Sequence, residues 1–232
     1  MTLLGVDGCR AGWVVARSEN GLSRPRLELH PRFADLLATL AGEDAVLCVD
    51  IPIGLVPGRR RCDAEARTLL GHPRASSVFT PPSRPALLGK TAEEMRAQNV
   101  RATGRSLSAQ ALGILPKIAE VDSCMAPPLQ QVVREVHPEV VFAMQSRGGR
   151  GLASPKKSAA GREERLSLLP PPLARAALAG LPFARREVAP DDCLDALAAL
   201  LVADRVARGV ARRLPARGEE RDERGLLMAI WF

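Results

Sequence analysis

The strongest constraint on the fold is a short apolar run that closes on aspartate and occurs twice, as Leu3-Leu4-Gly5-Val6-Asp7 and as Ala45-Val46-Leu47-Cys48-Val49-Asp50. The second run has no polar alternation, which predicts a strand buried on both faces and parallel to the first in an α/β sheet. Between the two, the loop Gly8-Cys9-Arg10-Ala11-Gly12 leads into Trp13-Val14-Val15-Ala16, and Arg26-Leu27-Glu28-Leu29-His30 follows an Asn20-Gly21 turn, so an antiparallel meander is expected. Apolar residues Phe33, Leu36, Leu37 and Leu40 have helical spacing and stop before Gly42, which supplies a crossover helix. With the two parallel strands adjacent, Asp7 and Asp50 leave the sheet at one carboxyl edge, where open α/β sheets bind ligands.

A second acidic element lies late in the chain. Asp192 and Asp195 fall three residues apart in a helix expected over 191–208, capped by Asp191 and ended by Gly209. Their stripe continues through Ala199, Val202 and Val206, so both carboxylates are expected to face the body of the protein. Taken singly, such aspartates also begin turns or complement a helix dipole. As a partly buried set of four they repel one another unless a cation neutralises them. Hard, octahedral magnesium takes few carboxylates plus water and phosphate oxygens, and two such ions about 3.5 to 4 Å apart clamp both reacting oxygens in phosphodiester cleavage. One or two magnesium or manganese ions held by Asp7, Asp50, Asp192 and Asp195 are therefore expected.

The remaining chain frames these residues. Residues 57–130 read as a helical insertion, with a capping box at Thr91 and Glu94, a stop near Gly104, and a helix opened at Ser106 that Pro116 should kink or break. Val132–Val136 is the next strand candidate, limited by Pro138. Residues 145–157 read as a mobile basic loop, helices follow over 161–169 and 171–179, and an Arg-rich linker over 212–221 precedes residues 225–232, an apolar terminal strand or core-docking tail. A chain of 232 residues with 46% hydrophobic and 25% charged residues has the composition of a packed globular domain, and one domain over 1–232 is expected. No apolar run is long enough for a membrane span, and Met1-Thr2-Leu3-Leu4 has no leader pattern, so a cytoplasmic protein without a membrane partner is expected. Five dispersed cysteines without a Cys-x-x-Cys pair fit reduced thiols and give no zinc spacing. Net charge is +7, carried by 29 arginines and only four lysines, and Tyr is absent. That balance either favours a polyanion or reflects a GC-rich coding genome, and if a nucleic acid is the partner, the scarcity of aromatics points to its backbone rather than to stacked bases.

The strand order and the late Asp-x-x-Asp helix resemble the ribonuclease H-like fold, with the helical pair closest to the Holliday-junction resolvase type. More narrowly, Val6-Asp7-Gly8-Cys9-Arg10-Ala11-Gly12-Trp13, Val49-Asp50-Ile51-Pro52-Ile53-Gly54, Ser77-Val78-Phe79-x-Pro81, Glu135-Val136-His137-Pro138-Glu139 and Asp191-Asp192-x-x-Asp195-Ala196 resemble domain-of-unknown-function family 429. The resemblance implies a mixed five-stranded sheet flanked by helices, an insertion at about 57–130 between the fourth and fifth strands, and a metal-dependent nuclease acting on nucleic acid. It adds Glu135 either as a further catalytic carboxylate or as a salt-bridged rim residue beside an Arg-rich surface, and Arg10, Lys117, His137, Lys156 and Lys157 as substrate contacts. The Arg59-Arg60-Arg61 run either grips a phosphate backbone or simply precedes a helix. Two other readings stand beside it: a non-catalytic nucleic-acid-binding or scaffold protein, and an actin-like phosphotransferase. The latter is opposed by the absence of an internal repeat. Cysteine hydrolysis through Cys9 or Cys193 with His137 has no nucleophile motif behind it.

Overall fold

The computed structural model describes residues 1–179 and 183–232. Three antiparallel strands open the chain: β1 (Thr2–Cys9), β2 (Gly12–Ser18) and β3 (Arg26–His30). Helix α1 (Phe33–Ala38) crosses over to β4 (Ala45–Val49), which pairs parallel to β1 with Leu3 opposite Val46 and Gly5 opposite Cys48. The insertion then supplies α2 (Arg61–Leu70), α3 (Ala92–Thr103) and α4 (Ala109–Cys124) before β5 (Val133–Val136) pairs parallel to β4. Helices α5 (Pro138–Gln145), α6 (Ala159–Leu168), α7 (Pro171–Leu178) and α8 (Pro190–Ala207) follow, and two-residue strands β6 (Arg213–Leu214) and β7 (Ile230–Trp231) finish the sheet. The result is a seven-stranded mixed sheet in the order β3-β2-β1-β4-β5-β7-β6. No helix of the described residues is long and apolar enough to cross a membrane.

The expected five strands are therefore seven. The additional pair comes from the Arg-rich stretch and the apolar tail, where β7 adds parallel to β5 and β6 antiparallel to β7. Strands of two residues carry no periodicity for a sequence to display. Two further expectations need correction. Pro116 does not break α4: it lies on the exposed side, while Leu115, Ile118 and Val121 are buried and hold both halves of the helix against the core. The N-cap of α8 is Ala189, not Asp191; Pro190 takes the first helical position, and Asp192 reaches back to accept a hydrogen bond from the Ala189 N–H at 2.9 Å. Half of the capping box expected for α3 forms, with Thr91 accepting from the Glu94 N–H while the Glu94 side chain accepts from the Lys90 N–H rather than from Thr91, and Gly104 closes the helix in a left-handed conformation at φ 72°.

Side-chain alternation divides the core into two layers. Leu3, Val14, Ala16, Val46 and Cys48 point to the face covered by α5 and α8, whereas Leu4, Val6, Trp13, Leu47 and Val49 point to the face covered by α1 and α4. From Cys193 to Ala203 every side chain of α8 is buried, and each leucine or valine among them contributes about 1.5–3 kcal/mol. The helix lies directly on β1 at Gly5, where an added Cβ would fall 2.0 Å from the Leu200 nitrogen and 2.1 Å from the Ala196 oxygen. Only glycine admits that approach, and it carries the N-terminal end of α8 to the edge where β1 and β4 stop.

Candidate metal centre at the carboxyl edge of the sheet

Parity builds the site. Residues 3, 5 and 7 of β1 and residues 46, 48 and 50 in and just beyond β4 share the face under α8, and the parallel register brings Asp7 level with Asp50. The Asp50 N–H extends the ladder by donating to the Val6 carbonyl at 3.0 Å. Asp195, in the second turn of α8, closes the group. One ligand oxygen from each of Asp7, Asp50 and Asp195 lies within 4.8 Å of the others. Asp7 and Asp195 are buried, at 9% and 2% exposure, and Asp50 is half-buried.

Asp7 spends Oδ1 on the Gly8 N–H at 2.7 Å. Asp195 accepts from Lys156 Nζ at Oδ2, 2.9 Å away, while its Oδ1 is buried with no hydrogen-bond partner among the described residues. An orphaned carboxylate oxygen is costly to bury, by about 1–3 kcal/mol or more for a charged group, so its presence marks a site that gains from a cation. The electrostatics agree. Burial, then Asp50 and the α8 aspartates, push the Asp7 carboxyl well above its usual range. Burial pushes Asp195 up to about 7 against the opposing pull of Lys156. Asp50 is also raised by burial, with His137 and Lys156 moderating the rise. Lys156 is itself held in the ammonium form, since Asp195, Asp7 and Asp50 together outweigh its desolvation. The donor set is all oxygen and all acidic, and it fits a hard divalent cation such as magnesium or manganese.

The other expected residues are distributed differently. Asp192 borders the same cleft but is engaged as the reach-back cap of α8 and is not one of the three converging ligands. Glu135 lines the same cleft, but it stands opposite Val49 in β5, out of phase with Asp7 and Asp50, and it is not one of the three converging ligands. It is gripped by buried Arg60, with one hydrogen bond of 2.9 Å and a second, shorter one, and it accepts from the Ile53 N–H at 2.7 Å. Arg60 also forks to Asp63. His137 lines the cleft as the N-cap residue of α5, with Nε2 3.4 Å from the Ser77 carbonyl and Nδ1 buried without a partner. Lys117 is committed to the Gly12 carbonyl at 2.6 Å and to the Trp13 ring at 4.5 Å. Arg10 and Lys157 are exposed and outside the cleft. Cys9 and Cys193 are buried, and burial raises both thiols, Cys193 to about 12, so neither offers a thiolate.

The basic loop expected over 145–157 is anchored at its far end. Lys156 binds the triad, Arg74 donates to the Leu152 carbonyl at 2.6 Å, and buried Arg165 takes both the Glu139 carboxylate and the Ser154 carbonyl. Lys156 as the internal counter-cation of the triad, and Glu139 as its structural neighbour on α5, were not separable by sequence from free surface charge. The acidic group opens into a cleft of about 410 Å³ whose outer wall is the Ser76–Phe79 segment. Among known proteins, the family model described as "Protein of unknown function (DUF429)" matches residues 5–220. No curated protein and no solved structure matches the chain.

Proposed function

The chain belongs to the DUF429 family, and from that premise we propose that it is a metal-dependent phosphodiesterase acting on nucleic acid. The observation that carries the proposal is the convergence of Asp7, Asp50 and Asp195 around an unpartnered Asp195 Oδ1. Three crowded, buried carboxylates at a ligand-binding sheet edge are expensive unless they hold a cation that the reaction uses. A ribonuclease H-like reading of the fold is supported by the order β3-β2-β1-β4-β5, by the antiparallel β1–β3 meander, and by acidic residues on β1, after β4 and on α8.

When bound, magnesium or manganese supplies Lewis acidity toward a phosphoryl oxygen. Asp7, Asp50 and Asp195 would hold it, and they must be ionised to do so. Lys156, reaching in from the rim, brings a positive charge to the mouth of the cleft where a phosphate would enter. His137 lines the cleft, and its buried, unpartnered Nδ1 would accept the proton of the attacking water while the departing oxygen takes a proton from solvent, so that one P–O bond forms as the other breaks. The walls of the cleft keep the acidic group from bulk solvent, which strengthens each of these interactions.

A fluorescently labelled oligonucleotide incubated with the protein and manganese tests the proposal. Cleavage is expected with manganese, lost with a chelator and abolished in Asp7→Asn. Equal cleavage by Asp7→Asn would remove the triad from the chemistry. A non-catalytic binding protein is the second reading, favoured by the Lys156–Asp195 ion pair, which already supplies the triad with one positive charge. It predicts binding without cleavage, indifferent to manganese.

A further inference from the structure

The acidic cleft does not end at its own walls. A second cavity of about 800 Å³ adjoins it within the helical insertion, and the two share Ser76, Val78, Phe79 and Gln110 as common lining. This larger groove runs between the segment after β4, the C-terminal end of α3 and the first turn of α4. Its charge is one-sided: Arg59, Arg67 and Arg105 line it, and among the described residues no Asp or Glu does.

Pairing makes that bias selective. Neighbouring arginines of the insertion are neutralised: Arg60 by Glu135 and Asp63, and Arg84 by Asp122, Asp222 and Glu223. Arg59 and Arg105 are exposed and form no ion pair among the described residues. Arg67 donates to the Val78 carbonyl at 2.9 Å and to Thr80 Oγ1 at 3.1 Å, which fixes the wall while leaving its charge unopposed by a carboxylate. The 16-residue helix α4, capped by Ser108, turns its positive end to the same space.

We propose that this groove is a single-strand channel: Arg59, Arg67 and Arg105 bind the phosphodiester backbone of a single-stranded nucleic acid and lead it past Phe79 to the acidic cleft. The proposal rests on the hydrolase reading for what happens in the cleft, but not for the binding itself. Cavities of 410 and 800 Å³ are of the size that encloses a small ligand, so a separated strand fits where a duplex does not. One aromatic ring at the junction cannot stack a run of bases, so affinity comes from backbone charge and tolerates any sequence.

The test is anisotropy of labelled oligothymidylate with the full chain in chelator, where cleavage is silent. Wild-type protein should bind, and Arg59→Ala/Arg105→Ala should weaken binding at least tenfold and flatten the salt dependence by about 1.4 in log–log slope for two lost phosphate contacts. Both arginines are exposed, and unchanged melting of the double variant establishes that it folds. Unlabelled single strand should displace the probe far better than blunt duplex or thymidine monophosphate at equal phosphate. No binding by wild type, undiminished binding by the double variant, or equal competition by duplex or by the mononucleotide would each overturn the channel. Arginine-dependent strand binding with no manganese-dependent cleavage supports the channel and removes the hydrolase reading.

Discussion

Asp195 concentrates the cost and the use of the site in one side chain. Its carboxyl is raised to about 7, so the folded metal-free protein holds a proton there that the unfolded chain releases near pH 4. Stability should fall as pH rises from about 4 to 7, because over that window the native state binds the extra proton. Manganese reverses the trend, since binding needs the ionised form. Melting temperature in chelator is expected to decline over that range, and the manganese-induced increment to grow; a pH-independent increment would contradict the ligand assignment. Asp7→Asn should raise the metal-free melting temperature by removing buried like-charge repulsion and abolish the manganese increment. Lys156→Met should lower the metal-free melting temperature, and manganese should restore it. Asp7 and Asp50 were legible because strand-ending carboxylates of equal parity need only two apolar runs to be recognised. Asp192 and Glu135 were legible only as a choice between ligand and structural residue, because one side chain caps its own helix and the other sits one residue out of phase on β5, bound to Arg60. The run Arg59-Arg60-Arg61 shows the same limit, since its members point in turn to the groove, to Glu135, and to the Arg217 carbonyl.

The element that sets the site is α8, and Gly5 sets α8. Substituting Gly5 by Ala places a methyl group inside the Ala196 and Leu200 backbone, which should cost about 1–3 kcal/mol or more in urea unfolding as the helix is forced outward. The same displacement carries Asp195 away from Asp7, so the manganese increment should shrink as well. An unchanged increment in a destabilised protein would mean that the helix does not position the ligands. The Arg60–Glu135 pair makes a parallel case on the wall of the same cleft. Glu135→Gln leaves buried Arg60 with a single carboxylate and should cost several kcal/mol, about 3–5 for a broken buried pair, with manganese binding retained. A loss of manganese binding with the fold intact would return Glu135 to the centre. Helices with local signals, such as the Thr91-to-Gly104 capping pair, were readable. Helix α4 was read as kinked or broken at Pro116 because a sequence displays the proline but not the core contacts of Leu115 and Ile118 that carry the helix through it. Helix α5 was overlooked because a proline after a strand reads as a stop, whereas here it is the first helical residue.

At the scale of the molecule, charge is sorted rather than spread. The acidic triad lies at the sheet edge, and arginines with no ion-pair partner among the described residues line the adjoining groove, so the net +7 has a local meaning that the total alone lacks. The α/β class and the insertion were legible because they rest on long apolar runs and caps. The groove was not, because it exists only between segments brought together by the fold. Both parts depend on one claim, that Asp7, Asp50 and Asp195 hold a divalent cation. Crystals soaked in manganese and measured at its absorption edge test that claim most directly. The expected result is an anomalous peak with oxygen from all three carboxylates about 2.1 Å away and Lys156 displaced from Asp195. No peak there, with Lys156 still bound to Asp195 in the soaked crystal, would contradict it.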